Sequence, residues 1–200
     1  GQIILEGKKS IINKSPKEAQ ANGISTVYQE VNLCPNISVA ENLFLDREPR
    51  KFGLIDWKKM NKAAKELLDK LDINIDVTKP TEHYSIAIQQ MVAIARAVDM
   101  SAKVLILDEP TNHLDVRYQL QFMEIAKQLG VTVISAVHDL NIASMYCEYI
   151  FALKNGKIFG HGTPKEFITE EMIKDLYGVK AKITNIDDKI WVRYTGLVDE

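Results

Sequence analysis

Two adjacent carboxylates follow a run of aliphatic residues near the middle of the 200-residue sequence. The stretch reads VLILDEPTNHLD over residues 104–115, and Asp108 and Glu109 come directly after the four aliphatic side chains. Short continuous apolar runs of this kind are typical of strands buried in parallel sheets. Ligands of such sheets bind beyond the carboxyl ends of the strands, so we expect the two acids to lie at a binding edge.

The two acids would do different work if the strand continued through them, because adjacent residues on an extended strand point to opposite sides. One carboxylate can then face a hydrated Mg²⁺ while the other reaches a nearby water. His138 follows a second apolar run, VTVISAV, and an imidazole at that strand end can hydrogen-bond a phosphate. This division fits hydrolysis of a phosphate ester, and Mg-ATP is the candidate substrate. A purely structural alternative stays open, since an Asp-Glu-Pro-Thr sequence after a strand also serves as a helix cap.

Composition narrows the class of protein. The chain carries 25 basic and 27 acidic residues, interspersed along its length, for a formal net charge of −2, which argues against a nucleic-acid partner. Cys34 and Cys147 have no histidine or second cysteine at metal-ligand spacing, so we expect neither a zinc site nor a disulfide framework. No apolar run approaches the ~18 residues of a membrane span, and the first ten residues lack the features of a signal peptide. We expect a cytoplasmic protein that meets a membrane only through a partner.

Two helical patterns lie before the carboxylates. Residues 56–71 predict an amphipathic surface helix with lysines on its outer face. Its predicted inner face consists of Trp57, Met60, Ala64, Leu67, Leu68 and Leu71. A second helix should start near Ser85, and its apolar positions are too many for a surface stripe, so we expect it to be largely buried. Together the two helices predict a helical subdomain.

The remaining elements alternate in a way that predicts the fold class. KVLIL, a helix stopped by Gly130, and VTVISAV form a strand, a helix and a strand, which indicates an α/β protein with a parallel sheet. Short strands with a turn at Gly7 open the chain, followed by a helix with Ser15 as its N-cap and then a strand. Asn155-Gly156 predicts a type I′ hairpin, and the tail from Val179 predicts one more small hairpin.

In order and spacing, the chain resembles the nucleotide-binding domain of ATP-binding cassette (ABC) transporters over essentially its whole length. The resemblance rests on five segments. These are VYQE with Gln29 as the Q-loop glutamine, HYSIAIQQMVAIARA as the signature segment, VLILDE as the Walker B strand, NHLD as the D-loop, and AVHDL with the switch histidine, His138.

The resemblance implies roles for these positions. It implies that Asp108 holds Mg²⁺ with Gln29 also contacting the metal, that Glu109 is the catalytic base, and that His138 senses the γ-phosphate of ATP. It further implies nucleotide contacts by Gln29, Ser85, Ala87, Gln89 and Asp115. The implied architecture is a P-loop NTPase-like α/β sheet with a helical subdomain. The implied partners are transmembrane permease subunits and a second cassette in a head-to-tail dimer, at the cytoplasmic side of the inner (plasma) membrane.

Two segments depart from the family pattern. The phosphate-binding motif G-x-x-x-x-G-K-[ST] does not occur in the 200 residues, and the nearest stretch, GQIILEGKK, has the wrong spacing. We therefore interpret the chain as an amino-terminally truncated domain. In the signature, Ile86 and Ala87 stand where the family has glycines, and Ile88 replaces a glutamine, so close approach of the backbone to a phosphate becomes harder.

The resemblance also divides between two kinds of importer. Residues 17–97 resemble the first cassette of sugar importers, whereas the later half resembles the ATPases of iron-siderophore and vitamin B12 importers. A join within residues 98–111 would make the chain a hybrid. We predict an ABC ATPase-like domain over residues 1–178, with its helical subdomain at about 38–98, and a hairpin extension over 179–200. The leading hypothesis is an ATPase subunit that powers an importer; the alternative is a non-catalytic cassette fragment or hybrid scaffold.

Overall fold

The computed structural model describes residues 3–5, 7, 9–28, 32–112 and 114–198. Gln29 therefore lies outside the described residues. The chain forms two compact units, Gly1–Ala136 and Val137–Glu200, and each is described by itself. No helix of the described residues is long and apolar enough to cross a membrane.

The first unit combines short strands with five helices over its described part. Its strands are β1 (Ile3–Leu5), β2 (Lys9–Ile11), β3 (Ile24–Val27), β4 (Arg50–Lys51), β5 (Leu54–Ile55), β6 (Val104–Leu107) and β7 (Thr132–Ser135). Its helices are α1 (Pro16–Ala21), α2 (Val39–Phe44), α3 (Trp57–Asp69), α4 (Ile86–Asp99) and α5 (Val116–Gln128), with a 3₁₀ turn at Thr81–His83.

A parallel sheet of three strands, in the order β3-β6-β7, forms the centre of the first unit. Val27 pairs with Leu107 and Leu107 pairs with Ser135, so the three strands end level with one another. The parallel α/β arrangement that the sequence predicts is confirmed. Burial is uneven, because Leu105 and Leu107 are fully buried whereas Ile134 is 57% exposed. The prediction that the β7 run is buried on both sides is therefore wrong, since the described residues leave one face of this strand uncovered.

The helical part of the first unit packs α2, α3 and α4 together. Helix α4 is largely buried, as predicted, with Met91 and Ile94 fully enclosed. Helix α3 begins after Asp56, whose side chain accepts from the Lys59 N–H, and it buries Met60, Ala64 and Leu68. The prediction that Trp57 belongs to the inner face is wrong, because its side chain is 51% exposed. Trp57 is the first residue of the helix and precedes Met60, the first of its buried residues.

A buried asparagine ties the loop before α2 to this packing. The side chain of Asn42 has no exposed surface; its Oδ1 accepts from the Cys34 N–H at 2.8 Å and its Nδ2 donates to the Cys34 carbonyl at 2.9 Å. The Thr81 hydroxyl donates to the same carbonyl at 2.8 Å. Backbone groups of a loop that are closed off from water need such partners. The side-chain amide of Asn42 therefore supplies hydrogen bonds that regular secondary structure would otherwise give to this loop.

The second unit contains α6 (Leu140–Tyr146), β8 (Ile150–Lys154), β9 (Lys157–Gly162), α7 (Pro164–Phe167), α8 (Glu170–Tyr177), β10 (Val179–Ile186) and β11 (Lys189–Leu197). Strands β8 and β9 are joined at Asn155 and Gly156, which have φ of 52° and 73°. Two successive left-handed residues are what the predicted type I′ turn requires, so that hairpin is confirmed.

The core of the second unit joins its helices to the last hairpin. Ile173 of α8 and Val192 of β11 belong to one buried cluster. Asn141 of α6 accepts at its Oδ1 from the Val192 N–H at 2.7 Å. The tail from Val179 forms the hairpin that the sequence predicts, whereas the domain bounds 1–178, about 38–98 and 179–200 stay a prediction.

Replacement of Phe122 by alanine tests the packing of α5 in the first unit. Phe122 has no exposed surface, so we expect Phe122→Ala to lower the free energy of unfolding by about 3 to 5 kcal/mol through lost burial and a cavity. Urea unfolding monitored by circular dichroism measures the change. Val116→Ala is the matched control on the same helix, since Val116 is 69% exposed, and it should change stability by less than about 1 kcal/mol. Equal effects of the two variants would contradict this packing.

Candidate functional site

The loop that follows β6 is fixed at its start by both neighbouring strands. The Asp108 N–H donates to the Val27 carbonyl at 3.0 Å, and the Ala136 N–H donates to the Leu107 carbonyl at 2.9 Å. Strand β6 is therefore hydrogen-bonded on both sides to its last residue. Asp108 is exposed, and its carboxylate has no hydrogen bond or ion pair among the described residues. It can accept a cation without breaking an internal contact.

Glu109 adopts a backbone conformation that is unusual for its residue type. Its φ is +46°, in the left-handed region, which costs a non-glycine residue about 1 to 2 kcal/mol. The sequence argument that an extended strand turns Asp108 and Glu109 to opposite sides is wrong, because β6 ends at Leu107. The two acids still differ in environment: Asp108 is exposed, whereas Glu109 is half-buried and hydrogen-bonded. Backbone strain held at a polar loop is a feature that active sites share.

Asn112 holds Glu109 in this conformation. Its Nδ2 donates a hydrogen bond to Glu109 Oε2, and its backbone N–H donates to the Glu109 carbonyl at 3.1 Å. One residue thus bonds both the side chain and the main chain of Glu109. No role for Asn112 of its own is predicted from the sequence, where it is the first residue of the NHLD segment. Asparagine three residues after a strand-end acid, in a turn, was the signal that could have identified it.

Helix α5 supports the same loop from its other side. Gln119 Nε2 donates to the carbonyls of Thr111 and Leu114, each at 3.0 Å. Asp115 is the N-cap of α5, and its carboxylate accepts from the Tyr118 N–H at 3.1 Å. The cap of this helix is therefore Asp115, not Asp108 or Glu109, and the predicted contact of Asp115 with nucleotide stays a prediction.

The signature segment lies at the start of α4. Ser85 is the N-cap, exposed, and its hydroxyl accepts from the Ile88 N–H at 3.5 Å. Gln89 Nε2 donates to the Tyr84 carbonyl at 2.8 Å. Ala87 is only 4% exposed, so its methyl group faces the core, whereas Ile86 is 57% exposed. The exposed start of a long helix offers backbone N–H groups to an anion, and Ser85 is the residue of this segment that is best placed to join them.

The remaining predicted site residues are His138 and Gln29. His138 is exposed and belongs to the second unit, just before Asp139, which caps α6 by accepting from the Asn141 N–H at 2.7 Å. Gln29 lies outside the described residues. The structure thus brings Asp108 and Glu109 into one loop of the first unit and presents Ser85 and Gln89 at the start of another element of that unit. The roles assigned to all of these residues stay predictions.

The chemistry of the donors fits a hydrated Mg²⁺ with bound phosphate. The described residues hold no group of three or more histidine, cysteine, aspartate or glutamate side chains suited to a metal ion. Magnesium is usually held by one or two carboxylates together with waters and substrate phosphates, so it needs no such cluster. The Asp108 carboxylate, exposed and without a side-chain partner among the described residues, is a donor of this kind.

Comparison with characterised proteins finds sugar-importer ATP-binding proteins. The galactofuranose transporter ATP-binding protein YtfR of Escherichia coli (strain K12) is 45% identical over 181 residues, which cover 89% of this chain and 36% of that protein. The fructose import ATP-binding protein FruK of Bifidobacterium longum is 42% identical over 186 residues, 90% of this chain and 36% of that protein. The chain thus spans about a third of the length of the curated relatives it matches.

A solved structure and a sequence model of a protein family also match this chain. The chain matches an ATP-binding cassette described as a dimeric post-hydrolysis state bound to ADP and Pi, with a TM-score of 0.65 and 26% identity over 82% of this chain and 73% of that one. The sequence model of the family described as ABC transporter matches residues 1–112. The fold is therefore the one seen in ABC ATPase structures, and the chain belongs to the ABC transporter family.

Proposed function

We propose that this chain is part of the ATP-hydrolysing subunit of a sugar importer. The observation that carries the proposal is the loop after β6, where an exposed carboxylate and a fixed, half-buried one follow the central strand. The names of the relatives support a sugar as the cargo, since they refer to galactofuranose and fructose. Because the chain spans a third of those proteins, its activity, cargo and partners are all part of the proposal.

In the proposed site, Asp108 binds the metal and Glu109 accepts a proton from the attacking water. Bound Mg²⁺ supplies charge neutralisation at the β- and γ-phosphates of ATP. Glu109 orients the attacking water and accepts its proton, which is the work of a general base. The hydrogen bond from Asn112 Nδ2 keeps the Glu109 carboxylate in one orientation while this happens. Positioning of this kind lowers the entropic part of the barrier.

The remaining assignments extend the site toward its partners. Gln29 contacts the metal and the permease side, and His138 hydrogen-bonds the γ-phosphate. Ser85, with Ala87 and Gln89 behind it, contacts nucleotide held by a second cassette in a head-to-tail dimer, and Asp115 lies at the same interface. The subunit works at the cytoplasmic side of the inner membrane, bound to transmembrane permease subunits.

The length of the alignment to a sugar-importer protein favours one class of cargo over the other. The alignment to the galactofuranose protein runs over 181 residues at 45% identity, so it includes residues from both halves of this chain. That continuity supports a sugar over an iron-siderophore or vitamin B12, and a single cassette over a hybrid.

A cassette without turnover is the second candidate. It is favoured by the signature segment, where Ile86 and Ala87 carry the Cβ atoms that the family's glycines lack, and where the Ala87 methyl group occupies buried space. A backbone so substituted approaches a phosphate less closely. In this candidate the chain binds nucleotide weakly or not at all and serves as a structural partner of an active cassette.

Calorimetry of Mg-ATP binding to the purified chain tests the metal site. We expect saturable binding that needs Mg²⁺ and that weakens about ten-fold or more in Asp108→Asn, because a charged metal ligand is lost. Asp175→Asn, at a surface position of the second unit, is the matched control and should bind normally. A folded chain that binds no Mg-ATP would contradict a nucleotide site in this chain and favour the second candidate.

Measurement of phosphate release separates binding from chemistry. We expect Glu109→Gln to bind Mg-ATP as the parent does but to lose about 10² to 10⁴ in turnover, the usual contribution of a general base. Glu124→Gln on α5 is the control, since Glu124 is exposed and bonds only Gln128 among the described residues. Full turnover in Glu109→Gln would remove that residue from the chemistry.

Asn112→Ala tests whether this side chain positions Glu109. Loss of a hydrogen bond to a carboxylate costs about 1.5 to 3 kcal/mol, so amide exchange over residues 108–112 should become about ten-fold faster or more. Exchange measured by mass spectrometry reads this directly, and turnover should fall while the apparent affinity for Mg-ATP changes little. Asn61→Ala, at a half-buried position on α3 distant in sequence from this loop, should leave both unchanged. Unaltered exchange in Asn112→Ala would show that the loop is held by other contacts.

A further inference from the structure

The hairpin formed by β4 and β5 projects an aromatic side chain into solvent. Phe52 and Gly53 form its turn, and Phe52 is 96% exposed. Phe52 has a φ of 51°, a left-handed conformation that a bulky residue rarely adopts, followed by Gly53 at 84°. Asparagine or glycine would fit the first position of this turn better. The sequence thus places a large apolar ring where both solvation and backbone conformation disfavour it.

Further apolar side chains are exposed on either side of this turn. Leu54 is 76% exposed, Trp57 is 51% exposed and Leu45 is 43% exposed. All of them lie within residues 45–57, between the end of α2 and the start of α3. Single exposed apolar residues are ordinary on a protein surface, so it is the presence of four within residues 45–57 that makes this segment a candidate interaction site. We call residues 45–62, which comprise this segment and the following residues of α3, the hairpin surface.

The charge of the hairpin surface has the opposite sign to that of the whole chain. Residues 45–62 contain six basic residues and three acidic residues, whereas the formal net charge of the chain is −2. Arg50 lies 3.8 Å from Glu48, and Lys62 lies 3.7 Å from Glu66. Within the described part of the chain, Lys51, Lys58 and Lys59 have no acidic partner. The Lys51 Nζ lies 5.8 Å from the centroid of the Phe52 ring.

We propose that the hairpin surface binds the anionic surface of a lipid bilayer. The Phe52 ring enters the boundary between headgroups and acyl chains, with Leu54 and Trp57 beside it, while the lysines remain at the level of the lipid phosphates. A turn with exposed rings, and with lysines that have no acidic partner among the described residues, is complementary in charge to a layer of lipid phosphates, and membrane interfaces favour aromatic residues of this kind. This contact is the chain's own and goes beyond any contact made through permease subunits.

Flotation of the purified chain with lipid vesicles tests the proposal. Vesicles of phosphatidylcholine mixed with phosphatidylglycerol should carry the chain upward, and vesicles of phosphatidylcholine alone should carry much less. Phe52→Ser should weaken binding about ten-fold, the effect of one buried aromatic side chain. Lys58→Glu with Lys59→Glu should weaken it by at least 25-fold, since each lysine near an anionic surface contributes about five-fold.

Matched variants distinguish lipid binding by the hairpin surface from non-specific lipid binding by any exposed phenylalanine or lysine. Phe159→Ser removes an exposed phenylalanine of the second unit that also has a lysine over its ring, Lys154 at 5.9 Å. Lys157→Glu with Lys189→Glu reverses two exposed lysines of the same unit. Both variants should float as the parent does. Equal losses in these controls and in the hairpin variants, or no loss in either, would overturn the proposal.

Tryptophan fluorescence gives an independent readout. In the Trp191→Phe background, Trp57 is the one remaining tryptophan of the sequence. Its emission should shift to shorter wavelength when vesicles containing phosphatidylglycerol are added, because the indole leaves water. Brominated lipids should quench it. An unshifted, unquenched Trp57 in vesicle-bound protein would overturn the proposal and indicate that another surface binds lipid. No binding by a folded chain would overturn it as well, and neither result depends on whether the chain hydrolyses ATP.

Discussion

The pairing of β6 on both of its sides is the constraint on which the first unit depends. Its backbone bonds β3 on one side and β7 on the other, and its inward residues Leu105 and Leu107 are fully buried. A strand that is closed on both edges cannot shift its register without exposing these side chains, because a slip by one residue turns every side chain to the other face. The point at which the chain leaves the sheet is therefore fixed at Leu107.

This fixed exit makes the following loop useful for chemistry. Asp108 is anchored by its N–H to Val27 and presents its carboxylate to solvent, whereas Glu109 is held in a left-handed conformation by Asn112. A strain of about 1 to 2 kcal/mol at Glu109 is of the same size as one hydrogen bond to a carboxylate. The contacts from Gln119 to the same loop add support from α5. The proposed metal ligand, Asp108, and the proposed base, Glu109, differ because neighbouring groups, not residue type, give each carboxylate its surroundings.

In the helical part of the first unit, polar side chains are buried, whereas lysines and aromatic rings are exposed. Asn42 and Thr81 satisfy the backbone of a loop that has little regular structure, which lets α2, α3 and α4 pack closely. Three lysines without an acidic partner in the described part of the chain, together with the exposed rings, lie on the hairpin surface and are not packed in the core. A surface that combines apolar area with one sign of charge favours contact with a partner of the opposite charge.

The sequence by itself determined the elements whose signals are local. The Asn155-Gly156 turn, the cap of α1 by Ser15, and the buried helix after Ser85 depend on residues a few positions apart, and each is present. The parallel order of the sheet followed from the alternation of strands and helices, and resemblance to a known family gave the candidate residues. Trp57 and Ile134 were misjudged because an apolar pattern shows which face can be buried and not whether another element covers it.

Only the tertiary structure decided the conformation of Glu109 and its bond to Asn112. The sequence places an acid after a strand, but a positive φ at a glutamate has no local preference behind it and persists only where surrounding contacts enforce it. The same holds for Phe52, whose exposure depends on how the hairpin stands relative to the helices beside it. Propensity acts within a few residues, whereas burial and strain are set by contacts between segments that are distant in sequence.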